Sequence, residues 1–555
     1  MISSFSSEEE TQIRCRRQRI NAALSRWQRD ESGSLVILGM FIFLSMLTVS
    51  GIAVDLMNYE RLRSKVQILA DQANFAAASQ ALPNSTMTTD AVISDQFDKA
   101  GLANYLTSNG QTGNSFTLTA APSVRPIFTK LLNINGWTGS SQSQITAKPT
   151  DIEVSLALDI SGNMAGSIDG TAKFDLAKNA ANTFAATLLA DDTAGRTSVS
   201  LIPFGAQISL GPQIAGLLSL TPGDLNMTCV DFTTEQMAAP YTPLADPDTT
   251  LTRSAFFDPT SDGNQAKAPY CPPSLGQIIS PIQADADALQ SSIGGLEQTG
   301  AGASLDSAIK WAYALLRPES NPIVAALADQ GTVPSAFGVR PMVFNGPTQK
   351  VVVLVAGGGN GTGYALKDNF KSGLSPVFER ASTGALFMDR SLRGTAISSA
   401  FKPYYRLTAV NIASTATSTN KVGTEVNTLP SGTTQLSYDA LFAQYPVEWI
   451  ARHIFADGLF PDKDRTAAYN EALDAMLHLE DASTKDFHFS LQCNYLRGDQ
   501  VRVFTVAFGA SDFDQKLLAN CASVPGDFFA VTTEAELIIA MRQINRQIRN
   551  MRLVP

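Results

Sequence analysis

The strongest constraint on this chain is an uncharged run of 21 residues, Ser34–Val54 (SLVILGMFIFLSMLTVSGIAV). A helix of that length rises about 30 Å, the thickness of a bilayer's hydrocarbon core. The amino-side flank carries Arg14, Arg16, Arg17, Arg19, Arg26 and Arg29, so the positive-inside rule leaves the N-terminus in the cytoplasm. The run is long for the apolar part of a cleaved secretory signal, and no A-x-A site follows it. A signal anchor is therefore expected, with residues 1–33 as a cytoplasmic tail, 34–54 as a single transmembrane helix and the bulk of the chain on the far side.

The helix is expected to continue over Asp55–Leu82, where Leu62, Val66, Leu69, Ala73, Ala76 and Ala77 form one apolar stripe. Pro83-Asn84-Ser85 ends it. Strand-like patterning from about 114 to 150 completes a juxtamembrane helix and α+β stalk over 55–150.

A second organising stretch follows, Asp151–Met164 (DIEVSLALDISGNM). Ile152, Val154, Leu156 and Leu158 read as a buried parallel strand. Asp159-Ile160-Ser161-Gly162-Asn163 is a polar turn, with a helix-like segment beyond it. Strand, turn and helix put side-chain oxygens at the carboxyl end of a sheet, where open α/β folds bind ligands. Further α/β alternation is readable in Thr197–Phe204, Ser304–Leu316, Lys350–Val355, Val501–Phe508 and a closing helix Glu534–Arg549. Two stretches lack that rhythm and read as insertions, 210–290 and 365–485. The α/β domain is thus expected in three parts, 151–209, 291–364 and 486–555.

At 555 residues, two or three domains are expected. A net charge of −10 argues against a sequence-independent nucleic-acid binder. Cys15 precedes the span and is expected as a free thiol. Cys229, Cys271, Cys493 and Cys521 follow it. Cys229 and Cys271 share one insertion, while Cys493 and Cys521 bracket a late strand, so pairing within each region is the simplest of three connectivities. Disulfides fit a compartment outside the cytoplasm.

Several features together resemble the TadE/TadG-like family, which serves Flp (tight-adherence) pilus assembly. They are the Arg-rich start, Gly33 before the span, the close of the span on Gly51-Ile-Ala-Val-Asp55 and a helix of ADQANFAAASQAL type. Leu38 stands five residues after Gly33, where pseudopilin members carry Glu. Asp159-x-Ser161-x-Asn163 resembles the metal-ion-dependent adhesion loop of von Willebrand factor A domains, Asp-x-Ser-x-Ser. That resemblance implies a Rossmann-like parallel sheet, following the small α+β stalk read from the pattern of 55–150. It also implies an oxygen site for Mg²⁺ or Mn²⁺, in which a partner's carboxylate completes the shell. Mapped onto this chain, Ala303 takes the place of the loop-two Thr, with Ser304 beside it, and Gly357 takes the place of the loop-three Asp. Asp159, Ser161, Asn163 and Ser304 are therefore the candidate metal residues of a degenerate site. No cofactor is expected, and Mg²⁺ or Mn²⁺ binding at most weak.

Gly357–Gly363 (GGGNGTG) fits no G-x-G-x-x-G register, and no Lys-Ser/Thr follows it. The three histidines, His453, His478 and His488, match no zinc or nucleophile motif. His453 and His478 are expected on helices, in surface or interfacial roles. No catalytic residue is assigned. The reading is of a bacterial inner-membrane protein, periplasmic in bulk, that binds other pilus-assembly or envelope proteins. The alternatives are a metal-dependent adhesin using the residual Asp159 site, or an envelope hydrolase.

Overall fold

A single helix, α1 (Ser32–Gln80), carries both the apolar run and the stripe that follows it. The computed structural model describes residues 14, 16–22, 25, 32–80, 89–112, 115–147, 151–190, 195–259, 261, 263–267, 269–272, 275–346, 348–391, 402–414, 423–460, 463–550 and 553–554. Cys15 and the Pro83–Ser85 turn lie outside these. The chain divides into two units, residues 1–148 with 553–555, and residues 149–552.

In the first unit, Leu35–Ala77 of α1 is the one stretch among the described residues long and apolar enough to cross a membrane. Its large apolar side chains from Leu35 to Val49, including Phe41 and Phe43, are exposed around the helix, so no face of this stretch is an internal packing face. Side-chain burial begins with Asp55 and Tyr59 and is complete further along, where Val66, Ala70, Ala73 and Ala77 reach zero exposure. They pack with Val92, Ile93 and Phe97 of α2 (Thr89–Lys99) and with Leu118 and Ala120. The small Ala side chains let the helix approach an antiparallel sheet of β1 (Leu106–Thr112), β2 (Ser115–Ala120) and β3 (Ser141–Ala147). Buried Asn74 fixes that docking, its Nδ2 donating to the carbonyls of Phe116 (3.1 Å) and Ser143 (3.0 Å). Immediately after the apolar run, Asp55 takes the backbone N–H groups of Ile127 (3.0 Å), Phe128 (2.9 Å) and Thr129 (2.7 Å), clamping the 127–129 loop to α1.

The second unit is built on three central strands, β4 (Ile152–Asp159), β5 (Thr197–Phe204) and β7 (Gln349–Ala356), buried almost throughout. Helix α3 (Lys173–Ala190) joins β4 to β5. Between β5 and β7 come β6 (Ser280–Gln283), α4 (Ala286–Gly294) and α5 (Leu305–Ala314). After β7 the chain builds β8 (Gly363–Leu366), then β9 (Leu374–Arg380), β10 (Ala385–Asp389), β11 (Tyr404–Leu407), β12 (Thr424–Val426) and β13 (Thr434–Ser437). Next are α6 (Tyr438–Gln444), a helical segment over 447–459, α7 (Arg465–Met476), β14 (Leu477–Glu480) and α8 (Ala482–Gly498). Strand β15 (Arg502–Phe508), α9 (Asp512–Cys521), β16 (Phe528–Val531) and α10 (Glu534–Asn550) complete the unit.

The main sheet runs β6-β5-β4-β7-β15-β16, parallel except for the antiparallel edge strand β6. Side-chain alternation divides the core in two. Val154, Leu156, Val351, Val353 and Val355 face α3 and the Leu537/Met541/Ile544 stripe of α10. Ala157, Val352 and Leu354 face α5, with Phe489 of α8 and Leu518 of α9 in the same layer. A third core lies off the sheet, where the β12-β11-β10-β9-β13 antiparallel sheet packs Tyr405 and Leu407 against Phe442, Trp449, Ile450 and Ile454.

Three expected boundaries differ from the structure. The first insertion stops short of 290, because β6 and α4 already belong to the main sheet and its covering layer. Pro281 and the brevity of β6 hide it in the sequence; as an edge strand it tolerates proline. The second insertion ends near Glu480, since α8 begins at Ala482 and packs in the α5 layer. Its polar sequence conceals it. Finally, the α/β body does not extend to residue 555: β17 (Leu553–Val554) pairs with β3 in the stalk sheet.

Two predictions follow from burial. Asp55→Ala strips three backbone N–H groups of their acceptor, so trypsin should cut after Lys130 about tenfold faster in the detergent-solubilised chain. His453 is buried in the 451–455 turn. Burial, helped by Arg465 and Arg452, lowers its imidazole to about 4. Its contribution is fully present above the unfolded value of about 6.5 and is lost as pH falls toward 4. Lowering pH from 7 to 5 should therefore cost about 1 to 2 kcal/mol through this residue, seen as a urea-midpoint shift that His453→Gln abolishes.

Candidate functional site

Asp159 ends β4 and Gly357 follows β7, at the carboxyl ends of adjacent parallel strands. Strand order reverses between these two, which is where open α/β sheets form their ligand crevice. Asp159 is fully buried. Its Oδ1 accepts the N–H of Ser161 and its Oδ2 the N–H of Gly357, each at 2.8 Å. Ser161 Oγ accepts the N–H of Asn163 at 3.1 Å, capping the short turn Gly162–Met164. Asn163 Nδ2 in turn donates to the Gly359 carbonyl at 3.1 Å.

A residue absent from the sequence reading sits in this constellation. Lys173, buried at the start of α3, donates its Nζ to the carbonyls of Asn163 (2.9 Å) and Gly357 (3.2 Å). Burial raises the Asp159 carboxyl above its usual range, against the hydrogen bonds from Ser161 and Gly357 and the charge of Lys173. Burial likewise lowers Lys173, opposed by Asp159. The positive charge facing Asp159 is thus an ammonium supplied by the chain itself.

Room for a second carboxylate is missing as well. A Cβ on Gly357 would lie 2.7 Å from the Asn163 carbonyl oxygen, and one on Gly358 would lie 2.8 Å from Asn163 Nδ2. Loop three has closed onto loop one, backbone against backbone. Both Asp159 oxygens already face N–H donors, and Asn163 spends its amide on a carbonyl. This donor set does not fit a small dication that demands near-octahedral oxygen ligands.

Ser304 lies apart from this group in its bonding. Its Oγ donates to the Ala206 carbonyl (2.6 Å) and accepts from Lys485 Nζ. Ala303 bridges to Asn360, and the Gly361 N–H reaches the Ala303 carbonyl at 2.9 Å. Asn360 Oδ1 accepts the N–H of Leu305 at 2.6 Å, capping α5 in place of Ser304. The glycine-rich loop is therefore a strap between loops one and two. Asp159, Ser161, Asn163 and Gly357 come together; Ser304 faces elsewhere.

Cys229 bonds Cys271 in the first insertion, and Cys493 bonds Cys521, tying α8 to α9. His453 is in the third core rather than at a surface, and His478 is on strand β14 rather than a helix. Met476 and Leu477 are buried on either side of the α7–β14 junction, so packing interrupts the helical pattern there.

Residues 33–80 match the model of the family described as Flp pilus-assembly TadE/G-like (Tad). No curated protein matches the chain. Among solved structures, the pilus adhesin SpaC of Lactobacillus rhamnosus GG is similar at TM-score 0.30 and 8% identity, over 80% of this chain and 34% of that one. The adhesive tip pilin GBS104 of Group B Streptococcus agalactiae is similar at TM-score 0.29 and 12% identity, over 72% of this chain and 100% of that one. The pilus adhesin RrgA of Streptococcus pneumoniae is similar at TM-score 0.27 and 10% identity, over 80% and 50%. The chain thus spans about a third of SpaC, and likenesses this loose assign no fold.

Gly357→Asp tests the closure of loop three. The added carboxylate has no space, so the expected outcome is a loss of about 1 to 3 kcal/mol in urea denaturation with no stabilisation by Mg²⁺. A variant as stable as the parent, and further stabilised by the ion, would show that the loops part readily.

Proposed function

We propose that this chain is an inner-membrane-anchored, protein-binding component of Flp (Tad) pilus assembly or anchoring. The observation that carries the reading is the match of residues 33–80 to the Flp pilus-assembly family, over the one described helix apolar enough to span a bilayer. The arginine-rich flank favours an N-terminus in the cytoplasm and a periplasmic bulk, and the two disulfides suit that compartment.

The 149–552 unit is read as a von Willebrand A-like domain with two insertions. Its central parallel strands, antiparallel edge strand and Asp-x-Ser loop at the reversal point support that assignment. The adhesion-type metal site is read as degenerate, with Lys173 in the electrostatic role of the dication. On this view the domain binds partners through its insertions rather than through a metal-bridged carboxylate, and it performs no catalysis.

The test is site-specific photocrosslinking in cells from exposed positions of the second insertion, such as Leu374 and Val410. Capture of pilus-assembly or secretin components supports the assignment; capture of peptidoglycan enzymes alone would overturn it. Calorimetric titration of Mg²⁺ into the full chain, beside Asp159→Ala, addresses the adhesion-type metal separately. The expected result is no saturable heat in either protein.

A further inference from the structure

Ser304, drawn away from the Asp159 loops, leads to a different cluster in the same unit. A cavity of about 320 Å³ opens where the loop after β5, the first insertion and the β8–β14 pair meet α5 and α8. Phe232, Tyr270 and Tyr364 contribute aromatic walls, and Ser304, Asp306, Glu480 and Lys485 line its polar side. His488, one turn beyond Lys485 on α8, stands behind Glu480 with Nδ1 at 3.1 Å from Oε1.

We propose that Asp306, Glu480 and His488 form a binding site for one divalent transition-metal ion of the Zn²⁺ class. One ligand atom from each residue lies within 4.8 Å of the others. The 3.1 Å separation of His488 Nδ1 and Glu480 Oε1 is close to the edge of a zinc tetrahedron, roughly 3.3 Å for bonds near 2.0 Å. Two of the three ligand atoms are held by ion-pair neighbours alone, Asp306 Oδ1 by Lys485 Nζ at 3.5 Å and His488 Nδ1 by Glu480 Oε1 at 3.1 Å. Asp306 is 1% exposed and His488 2% exposed, and neither Asp306 Oδ1 nor His488 Nδ1 makes a hydrogen bond. Buried polar atoms without one are uncommon and costly. A mixed imidazole and carboxylate set suits Zn²⁺ or Mn²⁺ better than Mg²⁺, and the cavity side leaves a coordination position for a small ligand or a partner's side chain.

The competing charge is Lys485. Its Nζ stands 3.5 Å from Asp306 Oδ1 and donates to Ser304 Oγ. Two carboxylates against one ammonium leave a net negative site; a bound dication displaces Lys485 toward Ser304 and the cavity. The site is independent of the Asp159 loops and of the pilus assignment.

The experiment is a Co²⁺ titration of the full chain in detergent micelles after chelator treatment, read by ligand-field absorption and reversed by Zn²⁺. The expected result is one Co²⁺ per chain with intense visible bands. Asp306→Asn and His488→Gln each weaken it at least tenfold, Lys485→Met tightens it severalfold and Asp159→Ala leaves it unchanged. Absent bands in both the parent and Lys485→Met would overturn the proposal. So would bands that persist in the Asp306→Asn, His488→Gln double variant, which would mark adventitious surface binding.

Discussion

Strand β4 is hydrogen-bonded to parallel partners on both edges and covered on both faces, and the rest of the large unit depends on that placement. A strand so enclosed cannot slip by one residue without driving Ser155 into the α3 layer and Leu156 into the α5 layer. Its carboxyl end is equally fixed, so Asp159 is delivered to a buried point where water cannot solvate it. The loops around it answer that need with two backbone N–H groups and an internal ammonium. Loop three can supply an N–H at Gly357 because no side chain holds the backbones apart.

How much of this was legible follows from the range over which each signal acts. The apolar run, the three central strands and α10 depend on local periodicity, and they stand in the sequence without ambiguity. Helix α8 does not, because its outward face is polar and its buried face mixes Phe489, Cys493 and Leu496 with Lys485, His488 and Gln492, which breaks the apolar stripe. Strand β6 is four residues long, too short to carry a pattern. At the candidate site, Asp159, Ser161 and Asn163 lie within five consecutive positions, so one short motif names all three. Lys173 was missed because nothing in a lone lysine at a helix start announces that it points inward. Asp306 and Glu480 are separated by a whole insertion, so only the folded chain could join them.

The insertions also alter what the α/β body can present. Gln492 Nε2 and Lys310 Nζ both reach the Ala239 carbonyl, and Tyr495 reaches that of Ala238. The end of a five-residue helix in the first insertion is thereby held by α5 and α8 together. That anchoring forms one wall of the cavity, while the β8–β14 pair forms the other. A surface that would be an open sheet edge loop becomes an enclosed, acid-rich recess.

Two of the buried lysines stand beside these carboxylates, Lys173 and Lys485. Lys173 donates to carbonyls from both loops beside Asp159, so moving it would open the contact between loop one and loop three. Lys485 is held by one hydroxyl and by a carboxylate at 3.5 Å, beside a cavity into which its flexible stem can turn. The first lysine is locked by the closure of the Gly357 loop onto the Asn163 loop. The second is poised against an exchangeable charge. If the fold retains any capacity to sense a cation, the physics places it at the junction of α5, β14 and α8 rather than at the loops where the sequence motif points.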